Sequence, residues 1–298
     1  ISGTVTDATT GSPLAGICVR ANGAGAWWAC TDSNGKYQVT GLSTDQYALE
    51  YTDNLHARYL SRFYSTSATG SVRVPVTAGA VVTDIDVGMQ VGARITGTIR
   101  RSATSTPVAG ACPTAYLDEQ TYGIGQARCS AADGTYTIWG LPVGTYRVNF
   151  VPPPAANLLG EWYNNRATRD DSDGVTVGSA DSVVSGVDAS LEDGGIISGR
   201  VTATTGGAPL AGICVFATRD GAAALSFAGS EAGSFATCTD SAGNYEIRGA
   251  PTGTYRVRFS PPFGSPYLGE WYDDQTASGT ATSSTSRTCS MSVRRTVA

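Results

Sequence analysis

The sequence predicts an all-β protein made of three tandem β-sandwich domains in an elongated array. Three observations predict it: four segments recur three times in the same order, the hydrophobic period within them is two, and each copy carries one pair of cysteines. The predicted domains span residues 1–93, 94–195 and 196–298.

The opening segment Ile1-Ser-Gly-Thr-Val-Thr returns as Ile95-Thr-Gly-Thr-Ile and as Ile197-Ser-Gly-Arg-Val-Thr. A Gly- or Ser/Thr-rich turn follows each. The second segment reads PLAGICVRA from Pro13, PVAGACPTA from Pro107 and PLAGICVFA from Pro209. The third reads ACTDSNGKYQVTGL from Ala29, RCSAADGTYTIWGL from Arg128 and TCTDSAGNYEIRGA from Thr237. The fourth is QYALEY (46–51), then GTYRVNF (144–150), then GTYRVRF (253–259). A fixed period of this kind marks a repeat architecture.

Alternation such as Tyr146-Arg147-Val148-Asn149-Phe150 puts one face of a strand on a core and the other in water. Asn34-Gly35 and Asp133-Gly134 stand between alternating runs and supply the positive φ of tight hairpins. Short strands about ten residues apart with such turns read as a sandwich. Each copy is expected to end in two further strands, within 72–89 and 174–191. The next copy follows within a few residues, so the linkers are short and the array semi-rigid.

Composition agrees. The 298 residues are 41% apolar and 15% charged, with 37 Gly and no long run of helix formers. Net charge is −5 and Lys36 is the sole lysine, so the basic face that nucleic acid or anionic membrane requires is missing. No apolar stretch is long enough for a bilayer, and membrane insertion is not expected. The chain opens directly on a strand-like segment, which reads as a mature or trimmed fragment with an export signal upstream.

Six of the seven cysteines fall as one pair per copy: Cys18 with Cys30, Cys112 with Cys129, and Cys214 with Cys238. A zinc site needs four ligands and the chain has one histidine, His56, so structural disulfides account for the pairs and no metal or cofactor is expected. Disulfides persist in oxidising surroundings, which places the protein outside the cytoplasm. Cys289 is left over, with two readings: an idle buried thiol, or an intermolecular link.

The segments ISGTV, PLAGICV, TDSNGKY and GTYRV resemble the carboxypeptidase regulatory-like domain. The resemblance implies a transthyretin-like, prealbumin-type sandwich, and an accessory, structural or binding role without chemistry of its own. Related tandem modules occur in bacterial surface adhesins of the Cna-B type, which implies a bacterial cell-surface location. Those adhesins often carry a Lys–Asn isopeptide bond. With one lysine, the second and third copies cannot form it, and the disulfide takes over the stapling. The zinc peptidase domain that names the regulatory family is absent.

No catalytic constellation stands out, since a hydrolytic triad needs a base and His56 occurs in one copy only. Two recurring segments exceed what a sandwich requires: Glu161-Trp162-Tyr163 and Glu270-Trp271-Tyr272, each after a Pro-rich loop, with YLSRFYST (59–66) in the first copy. One aromatic of each pair should be buried and the other exposed. They read either as a plug closing one end of the sandwich or as a sugar-stacking platform. Catalysis by Glu161 and Glu270 is disfavoured because Arg62 stands at that place in the first copy. Trp27-Trp28 is expected in a variable loop. Asp170-Asp171-Ser172-Asp173 reads as a solvated acidic turn or an interdomain calcium site.

Two functions follow. The first is a secreted or surface structural or adhesive repeat (a stalk, spacer or fibre segment) that meets other protein chains or surface polysaccharide and self-assembles. The second is a carbohydrate-binding accessory region of a secreted hydrolase. A regulatory or folding domain of a secreted peptidase is a third reading.

Overall fold

A computed structural model describes residues 1–54, 58–65, 72–118, 123–124, 126–220, 234–272, 284–285 and 289–293. His56 lies outside them. The described residues are strands and turns with one short 3-10 turn at Pro154–Ala156. The protein is all-β, in keeping with its composition.

The first set of strands is β1 (Ser2–Asp7), β2 (Cys18–Asn22), β3 (Ala26–Cys30), β4 (Lys36–Gln38), β5 (Asp45–Thr52), β6 (Arg62–Phe63), β7 (Arg73–Val76) and β8 (Val87–Met89). The second is β9 (Ala93–Arg101), β10 (Cys112–Leu117), β11 (Gly123–Ile124), β12 (Gln126–Ala127), β13 (Thr135–Leu141) and β14 (Gly144–Val151). It continues with β15 (Glu161–Trp162), β16 (Val175–Val177), β17 (Val183–Val184) and β18 (Ala189–Leu191). The third is β19 (Gly195–Ala203), β20 (Cys214–Arg219), β21 (Ser234–Cys238), β22 (Asn244–Ala250), β23 (Thr254–Ser260), β24 (Glu270–Trp271), β25 (Ser284–Thr285) and β26 (Cys289–Val293).

Each set makes two sheets. In the first, β4-β1-β8 faces β3-β2-β5-β6, with β7 also on β5. The others repeat this as β12-β13-β9-β17 with β18 against β11-β10-β14-β15 with β16, and as β22-β19-β26 against β21-β20-β23-β24 with β25. Among the described residues, three apolar clusters lie between these sheet pairs. The alternation read from sequence fills them. Tyr47, Leu49 and Tyr51, then Tyr146, Val148 and Phe150, then Tyr255, Val257 and Phe259 are all fully buried.

The closing strands of a copy are not a hairpin. β7 joins β5, whereas β8 crosses to the opposite sheet and pairs with β1 in parallel. β18 pairs with β9 and β26 with β19 in the same parallel sense. Parallel first and last strands carry the chain in at one end of a sandwich and out at the other. An antiparallel close would have returned it to the entrance.

Local chemistry fixes the turns. Gly35, Gly134 and Gly243 have φ of 72°, 80° and 77°, and a Cβ on any of them would lie 2.5 Å from a strand carbonyl. Asp32 and Asp240 accept backbone N–H groups of the turns that follow them. Tyr47, Tyr146 and Tyr255 each donate their hydroxyl to the carbonyl four residues earlier, pinning the turn into the fourth segment.

Trp27 and Trp28 are in strand β3 rather than in a loop. The strand pairs with β2 in register from Cys18↔Cys30 to Asn22↔Ala26. It sends Trp27 inward against Tyr47, ring centroids 5.8 Å apart, and Trp28 outward.

Candidate functional site

Disulfides join Cys18 to Cys30, Cys112 to Cys129 and Cys214 to Cys238. In the first and third copies they join directly opposed residues of neighbouring strands. In those two copies the bond pins the outer strand of the larger sheet at the same point.

The Glu-Trp-Tyr segments lie in separate copies and form no common site. Glu161 and Trp162 make β15, which pairs with β14, and Tyr163 packs toward the second core. Trp162 occupies the other face of the sheet, yet it is only 5% exposed. The segment after it folds back over that face. Trp162 and Arg166 exchange backbone hydrogen bonds, Arg147 donates to the Ser172 carbonyl, and the Tyr116 ring lies 5.3 Å from the Trp162 ring. Tyr163 and Tyr272 are half-buried against their cores, Trp271 is half-buried on β24, and Glu270 is buried. A sugar platform needs an open ring face, which Trp162 does not offer. The expected split into one buried and one exposed ring fails here because tertiary folding covers the outer face.

Glu161 has a legible task. Glu161 accepts the Ser190 backbone N–H at 3.0 Å, holding the closing strand β18. At the matching place Arg62 donates to the Gly88 carbonyl of β8 at 2.8 Å. Opposite charges reach complementary backbone groups of the same strand position. Burial pushes the Glu161 carboxyl up, the Ser190 N–H opposes this, and Glu192 adds to the rise.

The acidic turn is tied by its own neighbours. Asp171 accepts the Thr168 hydroxyl and Asp173 the Asn164 amide. No cluster of three or more His, Cys, Asp or Glu side chains suited to a metal ion occurs among the described residues.

The most developed polar sites are the connections between copies, which the sequence reading treats only as short linkers. Leu60 N–H donates to the Gln90 carbonyl and Gly92 N–H to the Arg58 carbonyl, both at 2.9 Å. One copy later, Leu159 N–H donates to Glu192 and Gly194 N–H to Asn157, at 2.8 and 3.0 Å. The exit linker is thus zipped onto the loop before β6 or β15. It then meets the next sandwich through glycine. A Cβ on Gly92 would lie 2.6 Å from Gly140 Cα, and one on Gly194 would lie 2.5 Å from Gly249 Cα. Asn157, in left-handed conformation (φ 49°), adds a side-chain clamp. Its Oδ1 accepts the Gly249 N–H and its Nδ2 donates to the Gly194 carbonyl, both at 2.9 Å. Arg101 pairs with Asp193 and donates to the Ala156 carbonyl, holding the same linker from the other side. Just past the first connection, within the second copy, the Arg94 guanidinium on β9 stacks 4.8 Å from the Trp139 ring on the paired strand β13. The glycines at 92, 140, 194 and 249 are visible in the sequence, but nothing there shows that they meet in pairs.

Residues 1–90 match the carboxypeptidase regulatory-like domain. No curated protein matches the chain. Among solved structures the chain is similar to a streptococcal ancillary pilin, 10% identical, with 99% of each chain covered and a TM-score of 0.36. It is similar to BcpA, the major pilin subunit of Bacillus cereus, at 13% identity, 99% coverage of each and a TM-score of 0.25. The Bacillus anthracis TIE protein is 12% identical with a TM-score of 0.28; the match covers 99% of this chain and 50% of that one. The chain therefore spans about half the length of that protein.

Proposed function

We propose that the chain is a non-catalytic spacer of a bacterial cell surface: three disulfide-pinned sandwiches, 1–93, 94–195 and 196–298, joined end to end into a stiff stalk. The observation that supports it best is the pair of matching connections. A flexible string of beads would leave its linkers solvated. Here both linkers are hydrogen-bonded to the preceding copy and pressed glycine-to-glycine on the next. The parallel first and last strands place entry and exit at opposite ends, so successive copies extend rather than fold back. Disulfides suit an oxidising, extracellular setting. The Glu-Trp-Tyr segments then serve as strand latches and packing, and the outer surfaces carry whatever adhesion the array performs.

Small-angle X-ray scattering tests the shape. Nine-residue strands such as β9 and β19 are about 30 Å long at about 3.3 Å per residue, so three in line give a rod of about 90 Å. The expected radius of gyration is above about 25 Å, against about 19 Å for a compact globule of this length. A value near that of the globule would overturn the proposal. Asn157→Ala is expected to broaden the distance distribution by loosening the second connection.

A further inference from the structure

Strand β3 is the outermost strand of its sheet: it pairs with β2 and with no other strand among the described residues. Natural edges are blunted by charge, proline, bulges or brevity. The run Ala26-Trp27-Trp28-Ala29-Cys30 has no charge and no proline. In the second copy the corresponding edge is broken, with β11 on one sheet and β12 on the other. In the third copy β21 keeps the geometry. Phe235 packs on Tyr255 (6.1 Å) as Trp27 packs on Tyr47. There the outward position opposite Phe216 holds Ala236, whereas opposite Arg20 it holds Trp28. The third copy therefore shows that the fold does not need a ring at that place. Trp28 is nonetheless 73% exposed, on a strand fastened by Cys18–Cys30 at one end and by Trp27 near the other.

We propose that β3 is a self-association edge, which pairs antiparallel with β3 of a second copy of this chain about a two-fold axis at Trp28. The strand is its own complement in that register. Trp28 faces Trp28, Trp27 faces Ala29, and Ala26 faces Cys30, so every large ring off the axis meets a small residue. The backbone phase agrees. Just past the strand, Thr31 donates its N–H to the Ile17 carbonyl and accepts the Gly16 N–H, so its main-chain groups point toward the β2 side. Counting back by twos, Ala29 and Trp27 point the same way. Ala26, Trp28 and Cys30 are left with their N–H and C=O groups turned to the open edge. Those three residues form the Trp28–Trp28 and Ala26–Cys30 pairs, which exchange the hydrogen bonds across the axis, while Trp27 and Ala29 form the non-hydrogen-bonded pairs between them. Pairing buries two Trp28 rings side by side and joins two five-stranded sheets into one. The strand is already fastened, so little ordering cost opposes association.

This pairing is independent of the spacer function. Sedimentation velocity of the whole chain over a concentration series measures it. A reversible monomer–dimer equilibrium is expected, and Trp28→Lys, which places a charge on the edge, is expected to weaken it at least tenfold. Ala236→Lys, on the matching edge of the third copy, is expected to leave the equilibrium unchanged. An unaltered melting temperature and intact Cys18–Cys30 bond establish that the Trp28→Lys chain is folded. A chain that stays monomeric up to about 1 mM, or a dimer that survives Trp28→Lys, would overturn the pairing. A monomer with rod-like scattering would remove the pairing and leave the spacer standing.

Discussion

Thr239 Oγ1 donates to the Leu210 carbonyl at 2.7 Å and accepts the Ile213 N–H at 2.9 Å, a buried hydroxyl closing the loop that leads into β20. Thr31 does the same with Leu14 and Ile17, and Ser130 with Val108 and Ala111. The residue after the second cysteine of each copy is thus a fixed internal staple. Replacing Thr239 with Val keeps the shape but strands a buried donor and acceptor. A loss of about 2–4 kcal/mol in urea unfolding is expected, with Thr239→Ser close to the parent.

Gly97 is required by space rather than by conformation. A Cβ there would sit 2.1 Å from the Val187 carbonyl oxygen, and one on Gly3 would meet the Ile85 oxygen at the same distance. The closing segment crosses directly over these glycines. Gly97→Ala is expected to cost about 3 kcal/mol because backbone must move. Gly178→Ala, with nothing within 4 Å, is expected to be close to neutral in the same denaturation assay.

Glu161 carries a pH signature. Its folded pKa is raised by burial above the unfolded value, so the neutral form is favoured in the fold. Its contribution is complete below the ordinary glutamate range and is lost as pH rises through the folded pKa. Glu161→Gln retains an acceptor for Ser190 without the charge. The variant is expected to melt higher than the parent at pH 7, with the gap closing below about pH 4.

Removing one disulfide is expected to be costly. The Cys112–Cys129 bond closes a 17-residue separation, for which chain entropy predicts about 3 kcal/mol. The Cys112→Ser/Cys129→Ser pair should lower the denaturant midpoint accordingly. The loss should fall in the second copy, read by hydrogen exchange across 94–195.

Cys289 stands in β26 opposite Gly199, the register at which Ile85 and Val187 approach Gly3 and Gly97. Its side chain lies outside the described residues. Labelling of the native chain with a soluble disulfide reagent decides between the two readings of Cys289, and modification only on unfolding is the result for an idle buried thiol. Fast modification of the native chain would favour the intermolecular link instead.

Much of the fold is legible because it is local and repeated. Period-two alternation names the core rings, and Asn34-Gly35 names a turn. The fixed place of the cysteines names their partners. The Glu-Trp-Tyr segments are legible as recurrent but not as to role. Whether Trp162 is open depends on the 166–172 segment folding over it, and no short-range pattern records that. Trp27-Trp28 reads as loop because two bulky neighbours show no alternation when one is core and the other edge.

The sequence by itself determined the strand-forming segments, their turns and their covalent pins, since each depends on residues within a few positions or within one copy. Tertiary structure alone decided which glycines meet at Gly92–Gly140 and Gly194–Gly249, where Asn157 points, and which strand edge is left uncovered. Those outcomes depend on how distant backbone segments approach, and a close approach leaves only the absence of a side chain as its trace in the chain.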